Sequence, residues 1–224
     1  MVAPDSPQTA AARAPRQDGQ ATRQQILEVA GRLFAEQGYA NTTSKQICEN
    51  SRANNASVNY HFENKDGLYQ AVLREAHDRL LRIETMIRLS ESQDSAENKL
   101  RAIITVLIEG LGNERDGWAL KVMTRELVSP SSVLSQVLEE QAFPKAKIVR
   151  TILGQIMQLS PDDPATLRSA VSVFSPCLFL LIAHDPLERN VLPGLKLDPP
   201  ALIEHMMCYA LAGLQAVSRI TKAG

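Results

Sequence analysis

Cysteine, aromatic residues and net charge are all scarce in this chain of 224 residues. The three cysteines, Cys48, Cys177 and Cys208, lie far apart, form no C-x-x-C pair and are odd in number. A disulfide scaffold is excluded, and the chain reads as one with free thiols in a reducing compartment. Aromatics are only 4% of the residues, while alanine, leucine and isoleucine abound, which suits helices packed on helices. The formal net charge is −1, so no global basic excess advertises a polyanionic partner. Uninterrupted apolar runs such as Cys177 to Ala183 fall far short of the roughly 18 residues a membrane span needs. Residues 1–20 hold no apolar stretch like that of a secretory signal. The expectation is a cytoplasmic protein with no membrane partner.

What is present is an ordinary globular composition, 44% hydrophobic and 22% charged, long enough to bury a core without metal or disulfide staples. Residues 1–20, with Pro4, Pro7, Pro15 and Gly19, offer nothing to pack and read as a disordered tail. From Thr22 the apolar period becomes 3.6, with Ile26, Ala30, Leu33 and Phe34 on one face. Thr22-x-x-Gln25 is a capping box and Gly38 fits the left-handed stop, so a helix is expected over 22–37. Thr43-x-x-Gln46 can cap a short helix, with Thr42 as a competing cap. Asn54 can cap a third helix, Asn55 to Phe62, and Asn64 a fourth, from Lys65 to about Leu89. Further helices are expected at about 95–111, 115–128, 131–141, 144–158, 164–183 and 199–221, with Pro130, Pro144 and Pro164 where proline can start a helix. No segment alternates as a strand does, so the class is all-α.

Residues 43–62 have the spacing of a helix-turn-helix, two short helices crossed by a turn of three or four residues. Cys48 supplies the small residue at the crossing, and Ile47, Val58 and Phe62 the apolar anchors. The second helix then presents Asn55, Ser57, Asn59, Tyr60 and His61, a neutral face rich in hydrogen-bonding groups. Asparagine pairs bidentately with adenine, and serine and histidine reach base edges. Thr42, Thr43 and Lys65 lie at helix starts, where free N–H groups and the positive end of the dipole attract phosphate. Segment 42–65 carries Lys45, Arg52 and Lys65 against Glu49 and Glu63, so affinity would rest on dimerisation and oriented amides more than on a charge field.

The stretch TTSKQICENSRANNASVNYHFENKDGLYQAVL resembles the DNA-binding domain of TetR-family transcriptional regulators. The matching residues are Thr42 and Thr43, Ile47, the Val58-x-Tyr60-His61-Phe62 block, Lys65 and Leu68. The form of Asn59 to Phe62, Lys65 and Leu68–Tyr69 is most similar to the branch of cephalosporin- and chloramphenicol-response regulators. RELVSPS at 125–131, Pro144, LSPDDP at 159–164 and CLFLLIA at 177–183 resemble the C-terminal half of that branch. The family usually has Ala-Gly at the turn, where this chain has Ser51–Arg52. An arginine held at positive φ there would cost about 1 kcal/mol.

The resemblance implies a homodimer on palindromic double-stranded operator DNA, a repressor released by a small-molecule effector. After the tail at 1–20, it implies a three-helix DNA-binding domain at 21–68 and a helical ligand-binding and dimerisation domain at 69–224. Trp118, Met123, Phe143 and Phe174 are large apolar residues in the middle helices, where the family forms its pocket; they suit a hydrophobic or amphipathic ligand. The last two long helices are apolar over more than one face, so one side can meet a partner chain. Leu167, Val171, Leu178, Met207, Leu211 and Leu214 are the expected dimer contacts. Arg125 and Glu126 read as a structural ion pair, and His205 with Cys208, at i and i+3 on a helix, lack a third ligand for a metal site. No catalytic residue, metal or cofactor is expected. Gly110-Leu-Gly112 lacks the third glycine and preceding strand of a dinucleotide fingerprint, and P-loop, G-x-S-x-G and zincin motifs are missing. Two other readings fit the helical pattern without DNA: a protein-binding module in which 43–62 is packing, and a small helical enzyme.

Overall fold

The computed structural model describes residues 15–110, 117–195 and 198–223. The helices are α1 (Pro15–Gln37), α2 (Ser44–Ser51), α3 (Asn55–Phe62), α4 (Lys65–Leu80), α5 (Ile83–Glu91), α6 (Ala96–Glu109), α7 (Gly117–Val128), α8 (Leu134–Val137), α9 (Phe143–Met157), α10 (Pro164–Pro186) and α11 (Pro199–Ala223). Two π-helical turns, Leu138–Ala142 and Leu187–Val191, link α8 to α9 and extend α10. No strand occurs among the described residues, as the all-α expectation required. None of the described helices is long and apolar enough to cross a membrane.

Most boundaries follow from local chemistry. Gly38 ends α1 at φ 81°, its N–H donating to Phe34 O at 2.9 Å. Thr43 caps α2 in a reciprocal box with Gln46, and Asn54 and Asn64 cap α3 and α4. Several boundaries differ from expectation, these among them. α1 starts at Pro15, inside the expected tail, because proline is well placed at a helix start; residues 1–14 lie outside the described residues. The Thr22 box is therefore not used as a cap, and the Gln25 amide donates instead to Ser51 O at 2.9 Å, at the end of α2. α4 stops at Leu80 because Leu81 is extended (φ −159°, ψ 105°), and a separate helix, α5, follows. No proline or glycine marks this break. It lets the inward face change hands, from Ala76 in one core to Met86 in another. Finally, the expected helices at 131–141 and 144–158 are joined through a π turn. Pro144 has no N–H to donate and crowds the carbonyl four residues back, and a widened turn accommodates both defects.

The aliphatic interior forms two clusters. The first gathers Ile26, Phe34, Ile47, Val58, Phe62 and Leu68 from α1–α4, together with Trp118 and Val122 of α7 and Val137 of α8. The second gathers Met86, Ile103, Leu153, Cys177, Met207 and Leu214 from α5, α6 and α9–α11. A fully buried side chain of this size contributes roughly 1.5–3 kcal/mol. α7 thus packs with the N-terminal helices. Its Trp118 presses on Gly31 and donates to Glu28 Oε2 at 3.1 Å, while the Arg79 guanidinium lies 4.8 Å over its ring. Arg125 and Glu126 find separate partners. Arg125 donates to the last carbonyls of α1, Ala35 O and Glu36 O, at 2.9 and 2.8 Å. The buried Glu126 carboxylate accepts from Tyr69 Oη at 2.6 Å and from Ser131 N and Oγ at 3.0 Å.

Candidate nucleic-acid interface

α2 and α3 stand on the first core through Ile47, Val58 and Phe62, each buried. Between them Arg52 adopts the left-handed conformation (φ 55°, ψ 24°), the geometry for which glycine would be favoured. Asn54 Oδ1 accepts from Ser57 N at 2.8 Å and from Ser57 Oγ at 3.0 Å, which fixes the first turn of α3. At the other end, Gly67 lets α4 approach α3 closely: a Cβ there would lie 2.2 Å from Phe62 O. α3 is therefore anchored at both ends and along its buried face.

The outward face of α3 carries Asn55, Asn59 and Tyr60, all exposed, with Ser57 and His61 half-buried beside them. Tyr60 is 85% exposed, with the His61 ring 5.0 Å away. Ser57 is less available than expected, because its hydroxyl is engaged with the Asn54 cap. Thr43 is exposed, and its hydroxyl is shared with Gln46 in the capping box. Thr42 is corrected from a DNA-side residue to a core residue. It is 0% exposed, and its hydroxyl donates to Gly38 O at 2.8 Å, closing the α1–α2 connection. Lys65 Nζ donates to Tyr39 O at 2.7 Å and lies 4.2 Å over the Tyr39 ring. One ammonium proton is used in this way, which leaves two for an anion. The Tyr39 phenol, hydrogen-bonded to Asp66, is pushed up to about 12 by that bond first and by burial second, so it remains protonated.

Arg23 was not singled out from the sequence. It is exposed and stacks 5.0 Å over the Phe62 ring, placing a cation from α1 beside the end of α3. Only the tertiary crossing of α1 over α3 brings it there. Lys45 pairs loosely with Glu49 at 3.9 Å on the surface, a contact worth little in water. Among the described residues no group of three or more His, Cys, Asp or Glu is placed to hold a metal.

Residues 26–72 match the family described as bacterial regulatory proteins, tetR family, and residues 96–217 match the C-terminal domain of the HTH-type transcriptional dual regulator CecR. The chain belongs to the TetR family. Within it, the second match places the chain in the CecR branch. TtgR of Pseudomonas putida, an HTH-type transcriptional regulator, is 38% identical over 85 residues, 37% of this chain and 38% of that protein. The aligned part is thus well under half of that relative's length. AcrR of Shigella flexneri is 24% identical over 164 residues, 71% of this chain and 76% of AcrR. The fold is shared with FadR of Bacillus subtilis, solved with stearoyl-CoA (TM-score 0.65, 18% identity, 85% of this chain and 98% of that one). It is also shared with a TetR-family regulator of Streptomyces coelicolor (TM-score 0.63, 18% identity, 89% and 97%).

The C-terminal expectations for a TetR-family chain fall out unevenly. The structure does not bring Trp118, Met123, Phe143 and Phe174 together. Trp118 and Met123 pack in the first core, Phe174 packs against the second, and Phe143 is 63% exposed beside Arg150. Size and hydrophobicity alone could not separate core from pocket. A cavity of about 270 Å³ lies between α5 and α6, and Leu81, Thr85, Met86, Arg88, Leu89 and Ile103 are among its lining residues. Of the expected dimer contacts, Leu167, Val171 and Leu178 are exposed on α10 and Leu211 is half-buried. Met207 and Leu214 are corrected to core residues, 2% exposed within the chain's own second cluster. On α11 the outward residues instead include His205, Cys208, Tyr209, Ala212, Gly213 and Ile220. All three cysteines are free thiols; burial pushes the Cys177 thiol up to about 11, as suits a packing role.

Proposed function

We propose that this chain is a ligand-responsive transcriptional regulator, a repressor acting in the cytoplasm, which binds a near-palindromic operator as a homodimer. The observation that carries this reading is α3. A helix capped by Asn54 and rooted by Val58 and Phe62 turns Asn55, Asn59 and Tyr60 outward, with the α2 start and the Arg23 and Lys65 cations around it. Neutral amides on a rigid helix are suited to reading base edges, and peripheral cations and helix N-termini to holding phosphates. The outward faces of α10 and α11, with Leu167, Val171, Leu178 and Tyr209 exposed, supply the apolar surface for a second copy. The cavity between α5 and α6 is the place for a hydrophobic or amphipathic effector, in the C-terminal part matched by the CecR branch or next to it. Such a ligand acts only if it binds the DNA-incompetent conformer more tightly.

The test begins with duplexes selected by the purified protein from random DNA. Asn59→Ala should weaken binding to the selected operator by about 1–3 kcal/mol and change binding to scrambled DNA little. Equal losses on both DNAs would show that Asn59 does not read bases. Failure of the wild-type protein to select any duplex would remove the DNA-binding reading itself.

A further inference from the structure

α4 runs side by side with the column formed by α8, the first π turn and α9, and three polar contacts join them in ascending order. Gln70 Nε2 donates to Gln136 Oε1 at 3.3 Å, Arg74 Nε to Glu140 Oε2 at 2.7 Å, and Lys145 Nζ to Asp78 Oδ1 at 3.1 Å. The contacts are tied along each helix too: Gln136 Nε2 donates to Glu140 Oε1 at 2.9 Å, and Arg74 reaches Gln70 Oε1 at 3.5 Å. The last rung is the most enclosed. The Lys145 side chain is 5% exposed, and Nζ also lies 2.9 Å from His77 Nδ1 and 3.4 Å from His77 O. An ammonium has three donors, and this site offers three acceptors. That match calls for a charged Lys145 and a neutral His77 whose Nδ1 carries no proton.

The π turn also brings the rungs into line. On α4 the rungs stand at 70, 74 and 78; on the partner column they stand at 136, 140 and 145. In plain α-helix a five-residue step would swing Lys145 about 100° away from the line through Gln136 and Glu140. The turn at Leu138–Ala142, where Phe143 N donates to Leu138 O, absorbs the extra residue and returns Lys145 to that line.

We infer that Lys145 is a positioning residue for operator binding: with Glu140 and Gln136 it clamps α4, and through α4 the recognition helix α3, at a fixed attitude to the C-terminal core. In a dimer joined through α10 and α11, this clamp sets the distance between the two copies of α3, and so the half-site spacing that the protein accepts. The inference rests on the dimeric DNA-binding reading above.

The experiment uses the full-length chain and the palindrome it selects from random duplex DNA, with spacers lengthened or shortened by one and two base pairs. Wild type should lose about tenfold or more in affinity per base pair away from its optimum, because each step turns the far half-site out of register. Lys145→Met should flatten that dependence to about threefold or less while retaining binding. Arg74→Gln, at a more exposed rung than Lys145, should flatten it partially. Titration of His77 followed by NMR in the free protein reports separately whether the Lys145 contact exists; its midpoint should rise in Lys145→Met. If the variant loses affinity equally at every spacing, in proportion to lost folded protein, Lys145 is structural only and the inference is overturned. If His77 titrates identically in both proteins, the contact itself is wrong. If wild type selects no duplex at all while the His77 result holds, the DNA-binding reading has failed, and the spacing role falls with it.

Discussion

Arg52 offers a direct measurement of what the helix-turn-helix turn demands. It is an exposed residue at φ 55° and ψ 24°, where its Cβ crowds the following carbonyl. That conformation costs an L-residue about 1–2 kcal/mol. Glycine escapes the clash but brings about 0.5–1 kcal/mol of extra chain entropy in the unfolded state. Arg52→Gly should therefore stabilise the protein by roughly 0.5–1 kcal/mol, while Arg52→Ala, which keeps the Cβ, should stay within about 0.5 kcal/mol of wild type. Arg52→Asn should fall between them, since asparagine tolerates the left-handed region. For a chain of this size 1 kcal/mol moves Tm by roughly 2–4 °C, so the three variants can be ordered by thermal or urea melts. All three remove the same charge. Any shared loss of DNA affinity, with a shallower salt dependence, reports phosphate contact and not conformation. If Arg52→Gly is no more stable than Arg52→Ala, left-handed strain is not what distinguishes this turn, and the reasoning fails.

Gly31→Ala would put a Cβ 2.7 Å from the Trp118 ring, so it should destabilise by about 1–3 kcal/mol and shift the emission of the chain's one tryptophan; unchanged stability and emission would refute the close packing of α1 on α7. Gly213 lies on the outward side of α11, and a Cβ at that position would have nothing within 4 Å, so Gly213→Arg should keep the chain folded and helical but leave it monomeric in sedimentation; a variant that stays dimeric moves the interface elsewhere. Burial first, and then the neighbouring Lys145 charge, push His77 down to about 4. An unfolded histidine takes up its proton near 6.5, so between about 6.5 and 4 the unfolded state binds the proton that the native state refuses, and stability falls as pH falls through that window, by up to about 1.4 kcal/mol per pH unit. His77→Gln should reduce that slope in urea melts at stepped pH, and an unaltered slope would exclude His77 as its source.

The local grammar of the N-terminal helices was legible in the sequence because each signal acts within a few residues. Thr43, Asn54 and Asn64 cap the helices that follow them, Gly38 stops the one before it, and Ile47, Val58 and Phe62 recur at helical spacing and are buried. The all-α class and the outward face of α3 follow from the same short-range patterns. Tertiary structure decided everything that depends on which neighbour a face meets. Thr42 and Thr43 are adjacent threonines at one helix start, yet one closes the core and the other faces out, because α1 packs over only one of them. Met207 and Leu214 are as apolar as Leu178, and periodicity along α11 cannot say which side its own chain will cover. Trp118 belongs to the first core because Gly31 on α1 leaves room for it, a pairing across the chain that no local window contains. The break at Leu81 and the π turn before Pro144 lie at places where α4 and its neighbours must bring distant residues into register. Caps and periodicity are properties of a few consecutive residues, whereas the choice between core, cavity and interface is set by long-range packing, which one helix does not encode alone.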